Sequence, residues 1–136
     1  MIRLIYGKKG SGKSKRLLDM ANAEVTASEG DIVYIDDDTR YMYDLKHEIR
    51  FVNTRDYAID CPEKLYGLVC GMIAQDYDIA SIYIDGVKNI VKKNAGNLEK
   101  LLKELDSITK KFDVKTYVVI SGEPDSMPEY LKSYVS

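Results

Sequence analysis

The sequence IRLIYGKKGSGKS occupies residues 2–14, close to the start of the chain. Residues 2–6 are mostly apolar and include β-branched side chains, which is typical of a short buried strand that ends at Gly7. A helix is predicted next, over 13–27, because apolar side chains recur on one of its faces, at Leu17, Leu18, Ala21 and Val25. A strand that leads through a glycine-rich loop into a helix is the first unit of an α/β fold.

The remainder of the chain repeats this alternation. Apolar runs predict further main strands at 31–35, 81–85 and 116–120, and a short additional strand within 47–52. Helices are also predicted over 62–74 and over 128–134. A further helix is predicted after an Asn97 cap, because apolar residues recur on one face from Leu98 to Ile108. Buried strands separated by helices indicate a mainly parallel sheet covered on both faces. We therefore expect an α/β protein with three α/β/α layers, in a single domain spanning 1–136.

Composition and charge restrict the class of protein. The chain has 136 residues, of which 45% are hydrophobic and 31% charged, and its formal net charge is −2. This composition is typical of a globular protein. The chain lacks the excess of basic residues found in duplex-DNA binders, so nucleic acid is not expected as a partner. The two cysteines, Cys61 and Cys70, fit no zinc spacing. No apolar run is long enough for a signal peptide or a membrane span, and we expect a cytoplasmic protein without a membrane partner.

The glycine-rich loop satisfies the pattern G-x-x-x-x-G-K-[ST] at every fixed position. Glycines allow backbone N–H groups to approach phosphate oxygens closely, and the start of a helix adds further unpaired donors. In this pattern Lys13 reaches the β- and γ-phosphates, and the Ser14 hydroxyl binds Mg²⁺. The alternative is a turn that binds nothing. The predicted phosphate-binding residues are Gly7, Lys8, Lys9, Gly10, Ser11, Gly12, Lys13 and Ser14.

A carboxylate ends the third main strand. Asp85 follows Ile84, and the carboxyl ends of parallel strands lie at one edge of a sheet, which would place Asp85 beside the glycine-rich loop. There it can hold a water molecule of a Mg²⁺ shell. The alternative is a simple turn formed with Gly86. We predict Ser14 and Asp85 as the metal-binding pair.

Together, these two segments resemble the Walker A and Walker B motifs of P-loop nucleoside-triphosphatases. The resemblance implies a P-loop fold with the four main strands in the order 1-4-3-2. It also implies binding of ATP, or another nucleoside triphosphate, with Mg²⁺. Many relatives carry a catalytic Glu directly after the strand-end Asp, where this chain has Gly86.

Two branches of that family are similar in further detail. RecA-like ATPases place a catalytic carboxylate just after the second strand, where this chain has Asp36-Asp37-Asp38, and the resemblance implies Asp38 as the base beside Lys13. Zinc-containing thymidine kinases share Ser11–Ser14 and Asp38–Tyr41, but their zinc cysteines and their thymidine-binding lasso are missing here. A solvated turn is the alternative for the three aspartates.

The function expected from these features is Mg²⁺-dependent binding of ATP or another nucleoside triphosphate, with slow hydrolysis. Two alternatives stay open. One is a small-molecule or nucleoside kinase-like enzyme. The other is a catalytically inactive nucleotide-binding subunit that docks a partner, with a second copy of the chain or another protein as that partner. Glu123, after the fourth main strand, is a reserve candidate for the base.

Overall fold

The computed structural model describes residues 1–91 and 98–135, and five strands and four α-helices form within them. The strands are β1 (Ile2–Gly7), β2 (Asp31–Asp36), β3 (Arg50–Asn53), β4 (Ile79–Ile84) and β5 (Lys115–Ser121). The helices are α1 (Lys13–Ala27), α2 (Pro62–Gln75), α3 (Val87–Ile90) and α4 (Leu98–Lys111). The Asn97 cap predicted for α4 lies outside the described residues.

All five strands are parallel and form one sheet in the order β1-β5-β4-β2-β3. The α/β class and the parallel sheet expected from the sequence are confirmed. The observed order differs from 1-4-3-2 because that order counted four strands, whereas β3 adds a fifth at the edge beside β2. The short additional strand predicted within 47–52 forms at Arg50–Asn53.

Helices cover both faces of the sheet. On one face, Val33 and Ile35 of β2 belong to a cluster with Leu65 and Val69 of α2 and with leucines of α4. On the other face, Tyr34 belongs to a second cluster that includes α1 residues. Successive side chains of a strand point to opposite faces, so β2 contributes to both clusters although all three of these residues are buried.

Polar contacts on the α1 face fix the position of β4. Glu24 of α1 accepts hydrogen bonds from the Ser81 hydroxyl and from the Tyr83 hydroxyl. The Tyr83 ring stacks between Tyr34 and Tyr117, with ring centroids 6.3 and 4.9 Å away. These contacts hold the strand whose carboxyl end carries Asp85.

The predicted helix over 128–134 does not form. Instead, 3-10 turns occupy Pro124–Ser126 and Glu129–Leu131. The end of the chain lies along β1, where the Leu4 N–H donates to the Tyr134 carbonyl at 2.8 Å. So short a segment gains little from forming an α-helix. Its backbone forms local turn bonds, such as that from the Leu131 N–H to the Pro128 carbonyl, and accepts the bond from β1. In the part of the chain that the structure describes, no helix has both the length and the apolar character needed to cross a bilayer.

Candidate functional site

The glycine-rich loop joins the carboxyl end of β1 to the start of α1. Gly10 and Gly12 have φ angles of 83° and 87°, in the left-handed region that side-chain-bearing residues rarely adopt. An added Cβ at either position would meet no atom within 4 Å, so conformation and not space requires glycine there. The Ser11 N–H closes the turn by donating to the Lys8 carbonyl at 3.1 Å. The loop thus delivers the chain directly into α1 at Lys13.

The Lys13 side chain folds back over this loop. Its Nζ donates to the Lys8 carbonyl at 2.5 Å and to the Ser11 Oγ at 3.4 Å. Only 8% of the residue is exposed. Burial lowers the pKa of Lys13, while the nearby Asp85 carboxylate acts to raise it. The Lys8 carbonyl, the Ser11 hydroxyl and the Asp85 charge therefore hold the amine in place.

Asp85 lies at the carboxyl end of β4 and is 2% exposed. Its backbone N–H donates to the Ile35 carbonyl at 2.8 Å, and its Oδ1 accepts from the Gly86 N–H at 2.8 Å. Its Oδ2 is buried and has no hydrogen-bond partner among the described residues. A buried carboxylate oxygen without a hydrogen bond is costly for the fold, which indicates a position suited to a ligand or an ion.

A cavity of about 560 Å³ joins the loop to Asp85. Its size falls within the range of small-molecule sites. Asp85 is the one carboxylate among the described lining residues, and five lining side chains carry basic groups, so the cavity suits an anionic ligand. The lining includes Lys9, Gly10, Gly12, Lys13, Ser14, Lys15, Arg40, Tyr41, Asp85, Gly86, Lys88 and Ser121.

Three predicted loop residues lie just outside this lining. Gly7 ends β1, and its carbonyl accepts from the Gly122 N–H at 2.9 Å. Lys8 lies 3.8 Å from Glu123, with both side chains exposed. Ser11 and Lys8 instead hold the Lys13 amine through the contacts given above.

Arg40 was not identified as a site residue from the sequence. Its Nη2 lies 3.4 Å from the Ser14 Oγ and 3.8 Å from the Asp85 Oδ2, and its guanidinium lies 5.1 Å from the centre of the Tyr41 ring. The two predicted metal-binding residues thus contact the same positive group. The signal in the sequence was the segment Asp38–Tyr41, which includes Arg40. Lys88 was also not identified as a site residue, and its Nζ donates to the Ser121 carbonyl at 2.7 Å.

The three aspartates after Ile35 lie in different environments. Asp38 is exposed, its Oδ1 accepts from the Arg40 N–H at 3.0 Å, and it does not line the cavity. Asp36 is fully buried and its Oδ2 has no hydrogen-bond partner among the described residues. Burial, the Asp85 charge and the adjacent Asp37 raise the pKa of Asp36 to about 8. The charges of Asp36 and Asp85 therefore act on each other inside the protein, whereas Asp38 lies at the surface.

Gly86 lies close to the side chains of Asp36 and Asp37. Its φ is 70°, and a Cβ added there would overlap the Asp37 carboxylate and crowd Asp36. A side chain at this position, including the Glu of the family that the sequence resembles, would require the Asp37 carboxylate to shift.

The fit of a metal ion can be judged from the donors present. Within residues 1–91 and 98–135, no three His, Cys, Asp or Glu side chains are grouped to hold a metal ion. Ser14 and Asp85 do offer two oxygens that both face the Arg40 cation. These donors fit a hydrated Mg²⁺ ion that takes its other oxygens from a ligand and from water.

The comparisons with known proteins add no family to this picture. A scan against protein-family models found no match, and a search among curated proteins found no relative. The interpretation of the site therefore depends on the chemistry of its own residues.

Proposed function

We propose that the chain is a P-loop-type domain that binds ATP, or another nucleoside triphosphate, together with Mg²⁺ and hydrolyses it slowly. The observation that carries this proposal is that Lys13 and Ser14, at the start of α1, border the same cavity as Asp85. The P-loop fold is part of the proposal, and β5 lying between β1 and β4 supports it, because the loop and Asp85 then flank one strand.

The loop supplies the phosphate contacts in this proposal. Gly10 and Gly12 leave the backbone open to a close approach by phosphate oxygens, and the unpaired N–H groups at the start of α1 favour negative charge. The Lys13 amine exchanges the Lys8 carbonyl for phosphate oxygens, and Lys9 and Lys15 add positive charge at the cavity wall. A triphosphate fits this lining better than a neutral ligand does.

The metal site of the proposal consists of Ser14 and Asp85. The Ser14 hydroxyl would bind Mg²⁺ directly, and the Asp85 carboxylate would hold one of its water molecules. When bound, the ion neutralises charge on the terminal phosphates. Arg40, which contacts both residues in the protein alone, has to move aside to admit it.

Slow hydrolysis follows from the carboxylates. A positioned general base contributes about 10²–10⁴-fold to a rate. Among the described residues that line the cavity, Asp85 is the one carboxylate, and it is assigned to the ion. The same observation favours a second candidate function, a nucleotide-binding subunit that acts by docking a partner.

Thermal unfolding with nucleotide tests the proposal. A ligand at about 100 times its Kd adds about 2.7 kcal/mol of stability, and we expect Mg-ATP to raise the Tm by several degrees. Lys13→Ala should abolish this rise and leave the unliganded Tm nearly unchanged. Lys103→Ala, at an exposed position on α4, is the control and should retain the rise. Equal responses of the two variants would refute the site.

Asp85→Asn distinguishes the contribution of the metal ion to ligand binding from that of the phosphate contacts. In EDTA, ATP should stabilise this variant as it does the wild type, because the loop contacts remain. The additional stabilisation that Mg²⁺ provides should be lost, because the carboxylate that holds the ion's water is gone. An equal loss with and without Mg²⁺ would contradict the assignment of Asp85.

A further inference from the structure

The two edges of the sheet differ in how they are covered. At one edge, the last residues of the described chain lie along β1, where Leu4 pairs with Tyr134 and forms a bridge with Val135. At the other edge, β3 pairs with β2. Among the described residues, no backbone hydrogen bond joins Arg50–Asn53 to any other element. The outer side of β3 therefore presents an open row of backbone donors and acceptors.

A groove of about 430 Å³ adjoins this open edge, between β3 and α2. Its lining is mostly apolar, with Val52 from β3 and with Leu68 and Met72 from α2. The groove also reaches the first residues of β2 and β4, at the opposite ends of these strands from the glycine-rich loop. It is therefore distinct from the proposed nucleotide site.

The charged residues of the groove are mainly acidic. Asp31, Glu48 and Asp76 line it together with a single basic residue, Arg50. Asp31 and Asp76 are close enough to share a hydrogen bond, and the Asp76 carboxyl raises the pKa of Asp31. Neither forms an ion pair with a described Lys or Arg, whereas Glu48 lies 3.2 Å from His47. A positive group from outside the chain would favour the ionised form of both carboxyl groups and form ion pairs with them.

We propose that this groove docks a basic, strand-forming segment of another protein, which adds to the sheet beside β3. Main-chain hydrogen bonds to the open edge would supply affinity, as in other cases of strand addition. Because side chains alternate along a strand, one face of the added strand would enter the groove. Apolar side chains of that face would pack against Val52 and Met72, and a Lys or Arg side chain of the same face would reach Asp31 and Asp76.

The combined features favour this occupant over others. A small apolar ligand would fill the groove but leave the β3 backbone row unpaired. An acidic segment would add charge to the Asp31–Asp76 pair. A second copy of the chain has a net charge of −2 and is a poorer match for an acidic groove than a basic segment is.

Three synthetic peptides with blocked ends test the proposal on the full chain. The Lys–Val peptide carries Lys and Val on one face of the strand and Thr on the other, the Glu–Val peptide has Glu in place of Lys, and the third is the Lys–Val peptide with a central Pro. We expect the Lys–Val peptide to bind by fluorescence anisotropy and to slow hydrogen exchange at residues 50–53 by about tenfold or more. The Glu–Val peptide should not bind, and Pro should weaken binding by about tenfold, because it removes a ladder hydrogen bond.

Two charge-removing variants locate the contact. Asp31→Asn and Asp76→Asn together should weaken the Lys–Val peptide by about fivefold and reduce its salt dependence. Asp125→Asn, at an exposed position in the Pro124–Ser126 turn, is the matched control and should bind as the wild type does.

Several results would overturn the proposal. They are equal binding of the Glu–Val peptide, protection that falls outside residues 50–53, and unchanged affinity in the double variant. Sedimentation that shows a dimer with residues 50–53 already protected, in the absence of peptide, would instead assign the groove to a second copy. None of these measurements uses a nucleotide, so they are independent of the proposed function.

Discussion

Gly86 lies so close to Asp37 that a Cβ on Gly86 would overlap the Asp37 carboxylate. The contact exists because the Asp85 N–H donates to the Ile35 carbonyl, which places the residues that follow β4 beside the end of β2. The left-handed φ of Gly86 then turns the chain into α3. A glycine at this position is a requirement of the packing between two strand ends.

Replacement of Gly86 should therefore destabilise the fold. We expect Gly86→Ala to lower the free energy of unfolding by about 1–3 kcal/mol from backbone strain, with the overlap adding to this cost. Gly67→Ala in α2 is the control, because a Cβ there meets nothing within 4 Å and should stabilise the protein by about 0.4–1 kcal/mol. Urea unfolding of both variants measures the difference. Equal midpoints would contradict the contact with Asp37.

Arg40 should compete with the metal ion. Its guanidinium contacts the Ser14 hydroxyl and the Asp85 carboxylate, the two groups proposed to hold Mg²⁺. We expect Arg40→Ala to lower the Mg²⁺ concentration for half-maximal stabilisation in saturating ADP by about threefold or more, because a pair of this kind is worth up to about 1 kcal/mol. ADP is chosen so that no γ-phosphate contact is lost.

Arg40→Lys provides the control for this experiment, because it retains the positive charge. Its Mg²⁺ requirement should stay close to that of the wild type. A higher Mg²⁺ requirement in Arg40→Ala would show that Arg40 assists ion binding and does not oppose it.

Much of the fold could be predicted from local pattern. The strand cores were predictable because they are continuous apolar runs, and α4 because Leu98, Leu101, Leu102 and Leu105 form one buried stripe. The edge strand β3 starts later than the predicted range 47–52 does and ends one residue beyond it, at Asn53, because a four-residue edge strand depends on its pairing with β2. The 128–134 segment was predicted wrongly, because its contact with β1 is not local.

The candidate site was predictable in part for the same reason. The glycine-rich loop is a local motif, and Asp85 follows from the carboxyl-end rule for parallel strands. The burial of Asp36 next to β4 depends on the register between β2 and β4. In this register Ile35 pairs with Ile84, so the residues that follow them, Asp36 and Asp85, come close to each other. The approach of Arg40 to Ser14 spans two segments of the chain, and no single-sequence pattern reports such a contact.

The Asp106 carboxylate, which accepts a hydrogen bond from the start of β1, should make the protein less stable at acid pH. The Asp106 Oδ1 accepts from the Ile2 N–H at 3.0 Å, and its Oδ2 lies 3.0 Å from the Lys110 amine. Burial alone would raise the pKa of Asp106, but these two hydrogen bonds and the charges of Lys110 and the N-terminus lower it below 3.8. A carboxyl group whose pKa is lowered in the folded state stabilises the protein at any pH above its ordinary pKa. This contribution is lost as the pH falls through the pKa of the folded state.

Asp106→Asn measures this contribution. At pH 6 the variant should be less stable by about 1 kcal/mol, because a neutral amide replaces a hydrogen-bonded carboxylate. At pH 3 the difference should shrink, because the Asp106 carboxylate of the wild type then takes up a proton and loses part of its stabilising effect. Asp125→Asn should match the wild type at both pH values. A difference between Asp106→Asn and the wild type that grows as the pH falls would refute the proposed charge state.

The remaining prediction concerns hydrolysis. A general base must lie within hydrogen-bond reach of the attacking water, directly or through one further water molecule. The exposed Asp38 uses its Oδ1 to accept from the Arg40 N–H, and Glu123 lies beside Lys8 on the surface. We therefore expect slow phosphate release from Mg-ATP, with Asp38→Asn and Glu123→Gln each changing turnover by less than about threefold, far below the effect of removing a base.

Phosphate release at saturating Mg-ATP tests this expectation, and the rate of Lys13→Ala gives the background of the assay. A fall of about tenfold or more in Asp38→Asn, at unchanged ATP affinity, would identify Asp38 as the base. It would also require the 38–41 segment to move into the cavity when nucleotide binds, since Asp38 lies outside the lining in the protein alone. If wild-type turnover equals that background while Mg-ATP still raises the Tm, the chain binds nucleotide without hydrolysing it, and its function then lies in what it docks.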